Sequence, residues 1–129
     1  MSIDPHALTP EQREFITEHH LASLTTLRSD GSPHVVPVGF TYDLEHAVVR
    51  VITFASSMKA KHAAGGGRAA VSQVDRGRWL TFEGLVRLSD EPSVVARAVE
   101  AYAQRYRQPK IREDRVVVEI VVDKIMGRA

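Results

Sequence analysis

The segment Arg50-Val51-Ile52-Thr53-Phe54-Ala55-Ser56-Ser57-Met58-Lys59 holds the densest chemistry in this sequence. A strand-like run ends, two serines follow, and a helix-forming stretch begins. The first turn of a helix presents unbonded backbone N–H groups and a partial positive charge, which together suit a phosphate. Ser56 or Ser57 adds a hydroxyl donor, Lys59 and Lys61 add full charges, and Arg50 stands upstream. The same order of residues is also ordinary helix capping. The surrounding charge favours an anion: from His46 to Val74 there is no Asp or Glu, while Arg50, Lys59, Lys61 and Arg68 all fall there.

Other candidates are fewer. His34 shares a strand-like run with Pro37 and Gly39 and reads either as a structural histidine or as a catalytic one. Pro37 removes a ladder donor and Gly39 a side chain, so the run bends, lies at an edge, or leaves backbone open to a flat ligand. His19 and His20 are adjacent and point to different helix faces, so neither they nor the isolated His6 and His46 make a metal site. No Walker loop, G-x-S-x-G or G-x-G-x-x-G is present. Gly65-Gly66-Gly67 lacks the Lys-Ser or Lys-Thr of a phosphate loop and precedes a strand, so it reads as a flexible turn.

These residues need a scaffold. Thr9-Pro10-Glu11-Gln12 opens a helix with a capping box and Pro at the first helical position, predicted to reach His19. Leu21–Arg28 and His34–Tyr42 read as strands joined at Asp30-Gly31, a strong hairpin signal. Ala47–Ala55 is the third strand of what reads as an antiparallel meander. Ser56–Ala64 is a short helix, and Arg68–Asp75 and Arg78–Leu88 are strands four and five. In the fifth, Leu80, Phe82, Val86 and Leu88 share one face. Pro92–Tyr106 is a helix with Val95, Ala98, Val99, Tyr102 and Tyr106 in one stripe. Arg115–Val122, a run of Val and Ile, is a sixth strand buried on both faces. The expected fold is α+β: a six-stranded antiparallel barrel with two to three helices, one domain over residues 1–129.

Composition bounds the function. The chain has 129 residues, no cysteine and a formal net charge of +1. Thiolate metal sites, disulfides and cysteine nucleophiles are excluded. Bulk charge gives no case for nucleic acid or an anionic membrane. No apolar run approaches the roughly 20 residues of a membrane span, and Met1–Glu18 lacks a signal-peptide core, so a cytoplasmic protein is expected.

The stretches Leu21–Arg28, Asp30–Phe40, Arg50–Thr53, Ser57-Met58-Lys59, Ser72–Asp75, Arg78–Gly84 and Tyr102–Arg107 together span nearly the whole chain. On them the sequence resembles the flavin and deazaflavin oxidoreductases built on the pyridoxamine 5′-phosphate oxidase-like split β-barrel. Within these it is most similar to the actinobacterial branch that uses coenzyme F420, and to the F420H2-dependent biliverdin reductases. The resemblance implies a homodimer with the cofactor at the subunit interface, F420 or alternatively FMN. It implies hydride transfer to a conjugated small molecule, biliverdin as the best guess, with an FMN-dependent oxidase-like enzyme or a non-catalytic cofactor or tetrapyrrole carrier as alternatives. Carried onto this sequence, Arg50, Ser57 and Lys59 hold the phosphate with Thr53 nearby. Pro37, Val38 and Gly39 line the ring, with His34 close to it as the catalytic candidate. Gln73 and Trp79 approach from the partner or the dimer seam, and Arg105 and Arg107 are candidates for acidic groups of cofactor or substrate. The chain departs from the family at His62–Arg68, where relatives often carry an Asn and an Asp-Pro-Arg-like turn.

Overall fold

The structure, a computed structural model, describes residues 3–129. The elements run α1 (Pro10–Phe15), β1 (Ala22–Leu27), β2 (Pro33–Val38), β3 (Thr41–Asp43), β4 (Val48–Phe54), α2 (Met58–Ala64), β5 (Arg68–Asp75), β6 (Arg78–Ser89), α3 (Pro92–Arg105) and β7 (Arg115–Arg128). Every strand pair is antiparallel, and the sheet order is β2-β1-β5-β6-β7-β4-β3. The two ends of that order, β2 and β3, are consecutive in the chain and joined only by Gly39 and Phe40. A sheet whose outermost strands are linked so tightly has to curl until its edges meet, which makes a barrel with one open corner. Its interior is a single apolar cluster that includes Leu24, Val38, Phe40, Val49, Val51, Val71, Leu80, Phe82, Val118 and Ile120.

The local signals explain most elements. Thr9 Oγ1 accepts from the Gln12 N–H at 3.1 Å, and the Gln12 side chain accepts from the Thr9 N–H at 2.9 Å. Gly31 turns the first hairpin at φ +85°, a left-handed conformation that favours glycine. On β6, Leu80, Phe82 and Val86 are buried, while Leu85 and Arg87 face solvent.

Several expectations change. The barrel has seven strands, because the predicted second strand breaks at Gly39-Phe40 into β2 and β3. The first three predicted strands are therefore no simple meander: β2 pairs with β1, whereas β3 pairs with β4 at the other end of the sheet. The first helix ends at Phe15 and not at His19. The last strand runs on to Arg128, past the polar pair Asp123-Lys124. A bulge between Glu83 and Gly84 leaves Asp123 without an opposite residue, so the in–out alternation slips by one and Ile125 returns to the core. The polar pair marks a phase change, not a strand end. The helix stripe on α3 is also looser than core packing suggests: Ala98 is buried, but Val95, Val99, Tyr102 and Tyr106 are half-buried.

Candidate functional site

The open corner of the barrel leaves a cleft of about 220 Å³ between β2, β4, the start of α2 and the loop that leads into β7. Pro37, Val38 and Gly39 form one wall, Ile52 and Tyr102 close the sides, and Lys59 and Arg115 bring positive charge. Pro37 has no N–H to donate, and Gly39 has no side chain to stand out, so this wall is flat. Gly39 is required for a second reason. A Cβ at this position would lie 3.0 Å from the rings of both Tyr102 and Tyr106. Those rings are held by α3, and the Tyr106 hydroxyl donates to the His20 carbonyl at 2.7 Å and accepts from the Phe40 N–H at 3.3 Å.

Lys59 is half-buried and makes no ion pair or hydrogen bond with any described residue. Burial pushes its ammonium below the ordinary lysine value. Arg115 likewise makes no ion pair; its guanidinium donates to the carbonyls of Thr53 at 3.4 Å and Lys110 at 2.8 Å. Ser57 caps α2: its Oγ accepts from the Ala60 N–H at 3.2 Å and from the Thr53 hydroxyl at 2.9 Å. Both side chains are buried, so Thr53 and Ser57 fix the start of the helix that carries Lys59. His34 stands on β2 beside His62 of α2, ring centroids 4.7 Å apart. Burial first, then the charges of His62, Arg28 and Lys59, hold His34 below the ordinary histidine value.

Other expected site residues are committed elsewhere. Arg50 is buried on β4, where Nε donates to Glu119 of β7 at 3.0 Å and a terminal nitrogen donates to Asp43 of β3 at 2.9 Å. Its charge is matched within the chain, and it does not line the cleft. Gln73 is wholly buried: Nε2 donates to the Phe15 carbonyl at 2.9 Å, and Oε1 accepts from Arg105 at 2.6 Å. Arg105 also donates to the carbonyls of Glu18 and Phe40, and packs over the rings of Phe40 and Tyr106. It is a strap between α3 and the barrel, not a free hand for a ligand. Trp79 is half-buried and pairs across strands with Val74.

Val74 belongs to an apolar patch on the outer sheet face, with Leu21 59%, Val35 59% and Val74 60% exposed. Leu21, Val35, Pro37 and Val74 border one shallow hollow there. Pro37 borders both this hollow and the Lys59 cleft, so the patch and the cleft are contiguous. The pattern reading missed Arg115 and assigned Tyr102 to the core. Arg115 reaches the cleft only because β7 pairs with β4, setting Arg115 opposite Phe54. No local signal predicts that pairing. His62 was legible: it stands three residues after Lys59, on the same side of the helix. Among the described residues no group of three or more His, Asp or Glu is placed to hold a metal, and no helix is long and apolar enough to cross a membrane.

Residues 8–128 match the family model described as pyridoxamine 5′-phosphate oxidase. The chain is 46% identical over 122 residues to a protein of Mycobacterium tuberculosis (strain CDC 1551 / Oshkosh) named F420H(2)-dependent biliverdin reductase, covering 95% of this chain and 89% of that one. Among solved structures, a conserved hypothetical protein of Mycobacterium tuberculosis matches with a TM-score of 0.79 at 21% identity, over 99% of this chain and 89% of that chain. An F420 reductase matches with a TM-score of 0.71 at 24% identity, over 88% and 94% of the two chains. HupZ of Group A Streptococcus matches with a TM-score of 0.74 at 21% identity, over 94% of each. These three likenesses share the fold.

Proposed function

Because this chain belongs to the pyridoxamine 5′-phosphate oxidase family, we propose that it is a reductase dependent on the deazaflavin coenzyme F420, with biliverdin as its substrate. One observation carries the reading: a half-buried lysine with no carboxylate partner stands beside a flat wall of Pro37, Val38 and Gly39. A fold does not leave a desolvated ammonium unpaired without cost, and a phosphate is a partner it lacks. The name of the relative from Mycobacterium tuberculosis supports F420 as the cofactor and biliverdin as the substrate.

In this reading Lys59 and Arg115 grip the phosphate, and Thr53 and Ser57 hold the start of α2 so that Lys59 stays in place. Pro37, Val38 and Gly39 set the depth at which a planar ring lies, with Tyr102 packed behind Gly39. When bound, the deazaflavin supplies hydride transfer to the conjugated substrate. The protein orients the two planes and keeps water from the contact. Arg50 and Gln73 are left out, since each is satisfied inside the protomer.

The reading includes a cytoplasmic homodimer. A cleft of about 220 Å³ falls below the roughly 300–1,000 Å³ of sites that enclose a cofactor-sized ligand, so a second subunit is needed to complete it. The apolar patch of Leu21, Val35 and Val74 adjoins the cleft and is the surface to cover; in this reading Trp79, opposite Val74, contacts a ring bound at the seam.

Apo-protein titrated with oxidised F420 and, separately, with FMN tests the cofactor; absorbance reports binding. Saturable F420 binding followed by reduction of biliverdin by F420H2 is expected. Tight FMN binding with no affinity for F420 sinks the F420 reading in favour of an FMN enzyme. Binding without turnover of biliverdin or other conjugated acceptors leaves a carrier.

A further inference from the structure

Beyond Lys59, the same face of α2 carries a second feature. The His62 Nδ1 lies 3.0 Å from Thr26 Oγ1 on β1, which fixes the ring, and the His62 and His34 rings meet edge to face with planes at 76°. The Nδ1 of His34 is the one buried side-chain polar atom among the described residues with no hydrogen-bond partner. The charges that act on His34 come from α2 (Lys59 and His62) and from Arg28 at the end of β1, all of one sign. The nearby hairpin acid Asp30 is bonded to Ser32. A groove of about 680 Å³ reaches His62, lined also by Arg28, Lys61 and Gly65–Gly67 among others, and none of its lining residues is acidic.

We propose that His34 and His62 extend the anion site of Lys59, and that binding a phosphate-bearing cofactor there draws one proton from solvent onto the His34 imidazole. The inference rests on the cofactor reading above and adds residues and a proton to it. Without an anion, a second proton on the half-buried His34 adds charge beside Lys59 and Arg28. An anion between Lys59 and the histidine pair reverses the sign of that field. His62, held by Thr26, is a positioning residue that keeps the His34 ring turned toward the site. Because burial and cations already hold His34 below the ordinary histidine value, the anion raises it from a low start. Protons are then taken up between the free and bound values, and affinity rises as pH falls through that window, by at most about tenfold per pH unit for one proton.

The test is calorimetric titration of the full-length protein with oxidised F420 between pH 5.5 and 8, in buffers of differing ionisation enthalpy. The slope of observed heat against buffer heat counts protons, and subtracting His34→Gln from wild type cancels any proton the cofactor itself gains or loses. The difference is expected to reach most of one proton, and His62→Gln is expected to reduce it with F420 still bound. In case a variant misfolds, ¹⁵N-imidazole spectra of the wild type follow His34 directly, and its titration is expected to move upward on adding F420. F420 binding with no difference in proton uptake and no movement of His34 overturns this inference alone. No F420 binding at all overturns the cofactor reading and this one with it.

Discussion

Arg50 and Lys59 lie within one strand-to-helix segment, and the fold treats their charges in opposite ways. Arg50 is enclosed by acids: Glu119 takes Nε at 3.0 Å, Asp43 takes a terminal nitrogen at 2.9 Å, and Glu119 is shared with Arg87 at 3.0 Å. Lys59 is half-buried and pairs with no acid among the described residues. From sequence the two residues looked like partners on one anion. Their surroundings divide them into a charge that ties β4 to β3 and β7 and a charge left without a counter-charge among the described residues. A buried cation with its counter-charges in place is weak evidence for a ligand; one left without them is stronger evidence.

The sharpest way to break this contrast is Glu119→Ala. It strips the buried Arg50 of one counter-charge, and the expected loss is about 3–5 kcal/mol of stability, read from urea unfolding. F420 affinity of the folded fraction should hardly change; a large loss of affinity would return Arg50 to the site.

Lys59→Ala is the converse case, with an expected loss of about 1–3 kcal/mol in F420 affinity and the fold intact. Its stability effect has a definite sign. The folded chain holds the Lys59 proton less firmly than the unfolded chain, because burial lowers its value. The charged lysine therefore weakens the fold below its folded value, and stability is regained as pH rises toward the unfolded value. A Lys59→Met protein should melt no lower than wild type at neutral pH. A clear fall in melting temperature would mean Lys59 is structural after all.

Asp43 tests the matched side by pH. Burial pushes its carboxyl up, but hydrogen bonds from His46 and Arg50 outweigh that and hold it at about 2. A lowered carboxylate gives stability that is complete above the unfolded value and lost as pH falls through the folded one. Wild type should lose roughly 1–2 kcal/mol between about pH 4 and pH 2 that Asp43→Asn lacks. Superimposable acid curves would show that Asp43 contributes little to the network.

The smallest effect belongs to the flat wall. Gly39→Ala places a Cβ 3.0 Å from the Tyr102 and Tyr106 rings. The rings can shift a few tenths of an ångström, at an expected cost of about 1 kcal/mol. F420 affinity should fall with it, since Tyr102 moves into the cleft; unchanged affinity would place the ring elsewhere.

Much of this protein was readable from local pattern. The capping box at Thr9 and Gln12, the Asp30-Gly31 turn, the alternation along Arg78–Leu88 and the bounds of Arg68–Asp75 all depend on neighbours a few residues apart. So did the acid-free window that holds Arg50, Lys59, Lys61 and Arg68, and the Pro37 and Gly39 pair that interrupts the second predicted strand. Ser57 was legible as a cap and a phosphate donor at once, and the structure shows its oxygen serving the cap.

The sequence by itself determined most of the elements and where positive charge gathers, because propensity, turn chemistry and charge counts act over short chain distances. Tertiary structure alone decided which of those charges are spent. Glu119 reaches Arg50 from 69 residues away through the pairing of β4 with β7, and Gln73 finds the Phe15 carbonyl 58 residues away. Arg115 comes to the cleft by the same strand pairing. A side chain's availability to a ligand depends on the partners that packing brings to it, and those partners lie beyond the reach of any local pattern.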